Sequence, residues 1–338
     1  MRKAPLRVGL RYCGLVLFDA MTKTILLIKT SSLGDVIHAL PAITDLKAAQ
    51  PAARIDWVVE ESLAAIVKLH PGVDEVIPVA MRRWRRAWWR RSIRDEVSAC
   101  RRLLRAQTYD AIIDAQGLIK SALIARAARG PRHGLDFHSS REPLALFYDR
   151  TYRISWDVHA VERTRLLLAQ ALGYAVPPRC DYGIRAVPRR FDWLRAGAYA
   201  VLLHASSGEY KLWDERNWIE LGDALNAAGI ACVLPWGNAR EQERSVRIAA
   251  KLRAAVVPPV LSLDDLAGLL AGGKAVVGVD TGLTHLAAAL GVPTVGIYTA
   301  TDPAATGIYG CARASNLGGI GRVPSARQVI TAVEELSA

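Results

Sequence analysis

Short apolar runs alternate with longer segments of mixed polarity along most of the chain. In the first half, four runs predict β-strands, and the segments between them predict helices. These runs are TILLIKT (24–30), RIDWVVE (54–60), VDEVIPV (73–79) and YDAIIDA (109–115). Strands that alternate with helices are typical of a parallel sheet covered on both faces. The first half is therefore predicted to be a doubly wound α/β unit.

A second alternating series begins near residue 198. Its predicted strands are 198–206, 230–236, 274–280 and 294–298, and its predicted helices are 217–229, 240–252 and 283–291. Between the two series, residues 185–197 are rich in turn residues and lack a hydrophobic period. A length of 338 residues fits two domains at about 150 residues each.

Domain limits follow from these two series. We predict a first Rossmann-like domain over 21–190 and a second over 191–323, with a C-terminal helix, about 324–338, packing back on the first domain. Residues 1–20 have a basic start but only a short apolar stretch, and no cleavage site for a secretory signal follows. They are predicted to be a loosely ordered extension.

Positive charge is concentrated in one segment. The chain carries a net charge of +12, and residues 81–105 contain ten arginines against two acidic residues. Trp84, Trp88 and Trp89 lie among these arginines. Such a segment suits an anionic membrane surface, although a solvated basic face or a nucleic-acid contact would have the same composition.

Several classes of protein are disfavoured by what the sequence lacks. No apolar run reaches the ~18–20 residues that a membrane span needs. The five cysteines are far apart, which favours free thiols in a reducing compartment. The sequence contains no GxxxxGK[ST] or HExxH motif, no Asp-x-Asp and no paired Cys/His spacing. We therefore predict no metal site and no cofactor.

Candidate chemistry follows the first strand of the first half, in the segment KTSSLGD (29–35). Ligands of open α/β sheets bind beyond the carboxyl ends of the strands. Asp35 could take a proton from an attacking hydroxyl there. Ser32 and Asp35 also have the spacing of a capping box, and on spacing alone the cap is the favoured role.

Two corresponding segments lie in the second half. HASSGEYKLW (204–213) offers Ser206, Ser207 and the mobile charge of Lys211. VDTGLTHL (279–286) predicts a turn and a helix whose free N–H groups suit a phosphate. The ordinary roles here are a helix cap for Asp280, a packed core position for His285, and helix N-terminal stabilisation for Glu241.

Seven strings of residues together carry a resemblance to a known family. In chain order they are KTSSLGDVIHALPA, RRWRRAW, YDAIIDAQGLIKSA, SSREPLA, HAVERTR, LPWG and VDTGLTHLAAAL. This ordered set, from about residue 21 to the last helix, resembles the lipopolysaccharide heptosyltransferases. The resemblance implies a GT-B fold, in which two Rossmann-like domains face a central cleft. The first domain would hold the acceptor and the second the nucleotide sugar.

Site residues are implied by position in that family. Asp35 would be the general base. The donor-binding positions would be Ser206, Ser207, Lys211, Glu241, Leu261, Asp280, Thr281, Gly282 and His285. The acceptor-binding positions would be Arg82, Arg83, Trp84, Arg85, Arg86 and Arg141. The chain departs from the family where serines replace a threonine pair at 206 and 207, and where Leu261 replaces a methionine.

The activity implied is an inverting, metal-independent transfer of L-glycero-D-manno-heptose from ADP-heptose to the Kdo residue of Kdo-lipid A. This reaction adds the first heptose of the lipopolysaccharide inner core. We expect a cytoplasmic enzyme, peripheral on the inner membrane, with no nucleic-acid ligand and no obligate protein partner. The alternatives are a heptosyltransferase that adds a later heptose and, in another class, a basic nucleic-acid-binding module.

Overall fold

The computed structural model describes residues 22–337, and the predicted extension at 1–20 lies outside this range. Two parallel sheets of six strands, each covered by helices, form the molecule. The prediction of two doubly wound α/β units is thereby confirmed. Within the described residues, no helix is both long enough and apolar enough to cross a bilayer.

The first sheet has the strand order β3-β2-β1-β4-β5-β6. Its strands are β1 (Thr24–Ile28), β2 (Arg54–Glu60), β3 (Glu75–Val79), β4 (Ala111–Asp114), β5 (Arg132–Leu135) and β6 (Arg150–Tyr152). The helices of this half are α1 (Leu33–Ala49), α2 (Ala64–Val67), α3 (Met81–Arg86), α4 (Arg91–Leu104), α5 (Ile119–Ala127) and α6 (Ala160–Leu172).

The second sheet repeats this topology, with the order β12-β11-β10-β7-β8-β9. Its strands are β7 (Tyr199–Leu203), β8 (Ala231–Val233), β9 (Ala255–Val256), β10 (Ala275–Val279), β11 (Thr294–Tyr298) and β12 (Ala314–Gly318). The helices are α7 (Glu215–Ala227), α8 (Ala239–Ala249), α9 (Leu263–Gly272), α10 (Gly282–Ala289), α11 (Pro303–Thr306) and α12 (Ala326–Ser337).

The central strand β1 shows why its sequence is apolar without interruption. Ile25 and Leu27 belong to the core beneath α1 and α6, whereas Leu26 and Ile28 belong to the core on the opposite face of the sheet. A parallel strand with helices on both faces has no solvent-exposed side, so alternation of apolar and polar residues is lost. The loop after β1 is therefore anchored by a fully buried strand.

The hydrophobic pattern of the sequence does not predict four of the observed strands. They are β5, β6, β9 and β12, and all lie at the edges or next to the edges of the sheets. The burial of β12 is only partial, and its sequence is ASNLG. Because strands at or near a sheet edge bury fewer side chains than central ones, they leave little hydrophobic periodicity to detect.

The C-terminal helix packs on the second sheet, so the prediction that it returns to the first domain is wrong. Val329, Ala332 and Val333 of α12 share a core with Trp218 of α7. The indole of Trp213 also donates a hydrogen bond of 2.9 Å to the carbonyl of Pro324, just before the helix. The outer face of the second sheet needs an apolar cover beside α7, and α12 supplies it.

A buried ion pair holds the segment between the sheets to the first half. Arg165 of α6 donates to Asp45 of α1 at 2.7 Å, and both side chains are almost fully buried. The same guanidinium donates to the carbonyls of Pro177 and Arg179, at the start of the connecting segment. Burial raises the pKa of Asp45, although the hydrogen bond and charge of Arg165 oppose this rise.

Candidate active site

Asp35 lies in the first turn of α1, directly beyond the carboxyl end of β1. Its Oδ2 accepts hydrogen bonds from the backbone N–H of Ser32 at 2.7 Å and from the Ser32 hydroxyl at 2.9 Å. The capping box indicated by the spacing is thus present. Among the described residues, no group donates a hydrogen bond to Oδ1. One oxygen therefore fixes the helix start while the other is available to a ligand.

The loop before Asp35 is held by a second loop, from the end of β4. The side-chain carbonyl of Gln116 accepts from the backbone N–H groups of Thr30 and Ser31, at 2.9 and 3.0 Å. Asp114 accepts in turn from the N–H of Gln116 at 2.9 Å. Lys120 of α5 donates to the Ser31 hydroxyl at 3.1 Å. This network fixes the backbone of the loop that precedes Asp35.

A cavity of about 280 Å³ opens beside Asp35. Most of its lining comes from the first half, and Ala305 and Thr306 close it from the second half. Lys29 and Arg141 also line it. The cavity therefore lies between the two sheets, where the topology predicts a ligand site.

Asp280, at the end of β10, is the centre of a second polar cluster. Lys211 donates to its Oδ2 at 2.7 Å and the Thr301 hydroxyl donates at 2.9 Å. His285 Nε2 lies 3.6 Å from its Oδ1, and the Ser206 hydroxyl donates to its backbone carbonyl at 2.8 Å. Burial acts to raise the pKa of Asp280, but the bonds from its partners hold that pKa well below its usual value.

The contacts of Asp280 differ from those of the helix cap that the sequence suggested for it. The residue that caps α10 is Thr281, so the Asp280 carboxylate is free to pair with Lys211. The structure brings together four of the predicted donor-binding residues: Ser206, Lys211, Asp280 and His285.

The N-terminus of α10 lies against the N-terminus of α1. A side chain at Gly282 would place its Cβ 2.6 Å from Leu33 Cγ, so only glycine fits at this position. A Cβ at Gly34 would lie 3.5 Å from the His285 ring. Asp35 follows Gly34 directly. The first turn of α1, which carries this candidate base, therefore contacts α10, the helix that follows Asp280.

The remaining predicted donor residues are more dispersed. Glu241 lies in the first turn of α8, where its carboxylate accepts from the N–H of Gly237 at 2.8 Å and from the Asn238 side chain at 2.7 Å. Leu261 packs partly buried against the main core. Ser207 is exposed in the loop after β7.

Three histidines line the contact between the two halves. His38 Nε2 lies 3.4 Å from His285 Nδ1, and the His38 and His159 rings are 5.7 Å apart. His159 also lies within hydrogen-bonding distance of the carbonyl of Gly307, at 3.2 Å, and stacks on Tyr309. Burial lowers the pKa of His159 to about 4 and that of His38 well below its usual value. Both are therefore neutral in the folded protein near pH 7.

The arginine-rich segment forms two helices, α3 and α4, separated by residues 87–90. Arg82, Trp84 and Arg85 line a groove of about 800 Å³ between α3, α4 and α5. Arg83 instead pairs with Glu61 at 3.1 Å and Glu96 at 2.8 Å. Arg86 has no ion-pair partner among residues 22–337. The predicted acceptor residues are thus not all together: three line the groove, Arg83 belongs to an ion-pair network, and Arg141 lines the cavity beside Asp35.

Sequence reasoning missed several residues around Asp35. They are Gln116, Lys120, Trp156 and Arg163, besides the histidines at 38 and 159. Gln116, Lys120, His159 and Arg163 lie in the strings YDAIIDAQGLIKSA and HAVERTR, and this was the only available signal for them.

Within residues 22–337, no group of three or more His, Cys, Asp or Glu side chains is placed to hold a metal ion.

Comparisons with known proteins identify the family of this chain. The model of glycosyltransferase family 9 (heptosyltransferase) matches residues 97–333. Lipopolysaccharide heptosyltransferase 1 of Escherichia coli K12 is 50% identical over 289 residues, which are 85% of this chain and 91% of the relative.

Two solved structures of the Escherichia coli heptosyltransferase WaaC are similar over nearly their whole length. The complex with ADP has a TM-score of 0.85 and 45% identity, covering 93% of this chain and 99% of the other. The complex with ADP-2-deoxy-2-fluoro heptose has a TM-score of 0.82 and 45% identity, covering 92% and 99%. The two facing sheets are therefore a GT-B fold, and the chain is a glycosyltransferase that belongs to glycosyltransferase family 9, the heptosyltransferases.

Proposed function

We propose that this enzyme transfers L-glycero-D-manno-heptose from ADP-heptose to the Kdo residue of Kdo-lipid A, the step that adds the first heptose of the lipopolysaccharide inner core. One observation carries the proposal. The carboxylate of Asp35, with one oxygen free, lines a cavity between the domains, and the turn that bears it touches the helix beneath the Asp280 cluster.

At the acceptor end, Asp35 acts as the general base. The free carboxylate oxygen of Asp35 accepts the proton of the acceptor hydroxyl. In the same step the hydroxyl oxygen of the acceptor forms a bond to the anomeric carbon of the heptose. The bond from this carbon to the ADP oxygen breaks in the same step. A single displacement of this kind inverts the anomeric centre, so one carboxylate is sufficient.

At the donor end, positive charge is needed where the diphosphate leaves. Lys211 supplies an ammonium group, and the N-terminus of α10 supplies backbone N–H groups and the positive end of a helix dipole. These groups make the mechanism independent of a metal. The donor-binding residues proposed are Ser206, Ser207, Lys211, Glu241, Leu261, Asp280, Thr281, Gly282 and His285. The relative's complexes with ADP and with a fluorinated ADP-heptose support a donor of this class.

The reaction is tested by mass spectrometry of Kdo-lipid A after incubation with ADP-heptose and EDTA. We expect one added heptose per acceptor and one ADP released per transfer. A second acceptor, lipid A that already carries the first heptose, separates the alternative of a later-acting enzyme. Product only from this second acceptor would contradict the assignment, and loss of product with EDTA would contradict the metal-free mechanism.

The surface of α3 and α4 supports a position on a membrane. Trp88 and Trp89 are 67% and 59% exposed, and most of the surrounding arginines are exposed as well. Indole rings and guanidinium groups together favour the interface of an anionic bilayer. We propose that this surface, with Arg82, Arg83, Trp84, Arg85, Arg86 and Arg141, faces the lipid acceptor on the cytoplasmic side of the inner membrane.

Vesicle sedimentation tests this orientation. Substituting both Trp88 and Trp89 with Ser is expected to weaken binding to vesicles of phosphatidylglycerol about tenfold, because two interfacial rings are lost. Ile320 and Val323, which are 69% and 59% exposed in the second half of the chain, provide the matched control when both are substituted with Ser. Equal losses from both variants would contradict the proposed surface. Tighter binding to nucleic acid than to vesicles would likewise contradict the proposed membrane-facing surface.

A further inference from the structure

Helix α4 carries an apolar stripe that faces an open groove. Ile93, Val97, Cys100 and Leu104 recur every three or four residues, which places them on one face of the helix. All four line the groove between α3, α4 and α5. Ile93 and Leu104, at the two ends of the stripe, are buried, whereas Val97 in its middle is 41% exposed. The middle of the stripe therefore lacks the apolar cover that such a helix face normally has.

The opposite wall of the groove comes from α5 and is apolar as well. Leu123 is exposed there, and Ile124 and Ala127 line the groove beside it. The volume of about 800 Å³ lies within the range of roughly 300–1,000 Å³ that ligand pockets have. Apolar surface left in water costs free energy, and a continuous patch of it is typical of a binding site. The groove therefore suits an apolar ligand.

Positive charge lines the same groove. Arg82 and Arg85 contribute from α3, and Arg94 and Arg101 contribute from α4. In the part of the chain that the structure describes, none of these four guanidinium groups lies within ion-pair distance of a carboxylate. Arg83, which does not line the groove, has two carboxylate partners. The groove thus complements a ligand that joins an apolar tail to an anionic head.

Trp88 relates the groove to a bilayer. Its ring lines the groove, and it is exposed on the surface that faces the membrane in the orientation given above. We propose that the groove takes up one acyl chain of an anionic phospholipid of the bilayer, and that the arginines lining it hold the phosphate of that lipid. The enzyme would then be held by a lipid chain within its fold, in addition to aromatic rings resting on the surface.

The groove is separate from the site of the reaction. No described residue lines both this groove and the cavity beside Asp35, so the occupant of the groove is not the reacting sugar. The lipid is therefore an anchor and not a substrate, and the proposal does not depend on which sugar is transferred. An acidic amphipathic helix of a partner protein would match the charge as well, but exposed indole rings beside the groove favour a lipid.

Calorimetry with monomeric lipids tests the proposal on the full chain. The probe is myristoyl lysophosphatidylglycerol below its critical micelle concentration, and we expect one molecule to bind per chain. Glycerophosphoglycerol, the same headgroup without an acyl chain, should bind at least about 100-fold more weakly, because the burial of every methylene is lost. Lysophosphatidylcholine of the same chain length should bind about five- to tenfold more weakly, because its headgroup has no net negative charge.

Two variants of α4 show whether the chain lies in the groove. Val97→Glu places a carboxylate among the apolar side chains and should weaken binding of the lysolipid by at least about tenfold. Leu103→Glu is the matched control, because Leu103 lies on the same helix and is 47% exposed but does not line the groove. Its affinity should stay within about twofold of that of the unaltered enzyme. Both positions are exposed enough for the fold to be retained, which circular dichroism checks.

The thiol of Cys100 locates the bound chain directly. Because Cys100 lines the groove, lysolipid at ten times its dissociation constant should slow alkylation by N-ethylmaleimide about tenfold. Cys180, which lies between the two sheets and away from the groove, should react at an unchanged rate. Peptide mass spectrometry measures both rates.

Three results would overturn the proposal. Equal affinities of Val97→Glu and Leu103→Glu, with Cys100 unprotected, would place the lipid elsewhere. Equal binding of the headgroup with and without its chain would reduce the interaction to adsorption of a phosphate. Protection of Cys100 by an acidic amphipathic peptide but not by the lysolipid would make the groove a docking site for a protein.

Discussion

Substituting Asp35 with Asn is expected to lower kcat by about 10²–10⁴, the usual contribution of a general base. The amide cannot accept the hydroxyl proton, yet its carbonyl oxygen can still accept from the N–H of Ser32 and preserve the helix cap. KM for ADP-heptose should stay within about twofold, because the Asp280 cluster is untouched. Steady-state kinetics with ADP-heptose varied at saturating acceptor measures both constants, and thermal denaturation measures the stability of the cap.

Ser32→Ala separates the two roles of this carboxylate. It removes the hydroxyl that donates to Asp35 at 2.9 Å but keeps the carboxylate itself. We expect this variant to lose about 0.5–1 kcal/mol of stability and to keep kcat within severalfold of the unaltered enzyme. If Asp35→Asn were as active as Ser32→Ala, Asp35 would be a helix cap only and the catalytic proposal would fall.

The architecture could be predicted from the sequence because the central strands are buried on both faces. β2 and β11 begin and end where the apolar runs RIDWVVE and TVGIY begin and end. α12 was placed wrongly for a different reason. An amphipathic helix shows in its sequence that one face is apolar, but it does not show which neighbour covers that face.

The sequence predicts the position of the candidate site better than it predicts which side chains of the site pair with one another. The carboxyl ends of parallel strands located the loops that carry Asp35, Lys211 and Asp280. The ion pair between Lys211 and Asp280 joins residues 69 positions apart, and the contact between His38 and His285 spans 247. Pairings of this kind depend on how two loops meet in space, which hydrophobic periodicity does not encode.

The positive charges on the Asp35 side of the cleft show the same limit of prediction from hydrophobic periodicity. Lys29 directly follows β1 and Arg163 lies within α6, and the hydrophobic pattern at neither position indicates a ligand. Their proximity becomes apparent only in the folded protein, where both line the cavity beside Asp35. Family resemblance supplied Arg141, and the geometry adds its two cationic neighbours.

Removing the ammonium of Lys211 should have the second large effect. Lys211→Met is expected to lower kcat/KM for ADP-heptose by about 10²–10³, as for the loss of one preorganised charge on a leaving group. Thr301 and His285 would keep their places beside Asp280, so the fold should be retained. The measurement is kcat/KM with donor varied at saturating acceptor, accompanied by the dissociation constant of ADP from calorimetry.

A double variant shows whether Lys211 acts on the diphosphate or only on Asp280, its partner at 2.7 Å. If the lysine merely neutralised that carboxylate, adding Asp280→Asn to Lys211→Met would restore donor use. If it stabilises the departing diphosphate, the double variant should stay at least as impaired as Lys211→Met. Arg240→Gln provides the control, because its ion pair with Glu209 is almost fully exposed and contributes little. Near-complete rescue by Asp280→Asn would remove Lys211 from the donor site and leave the α10 N-terminus to stabilise the leaving group.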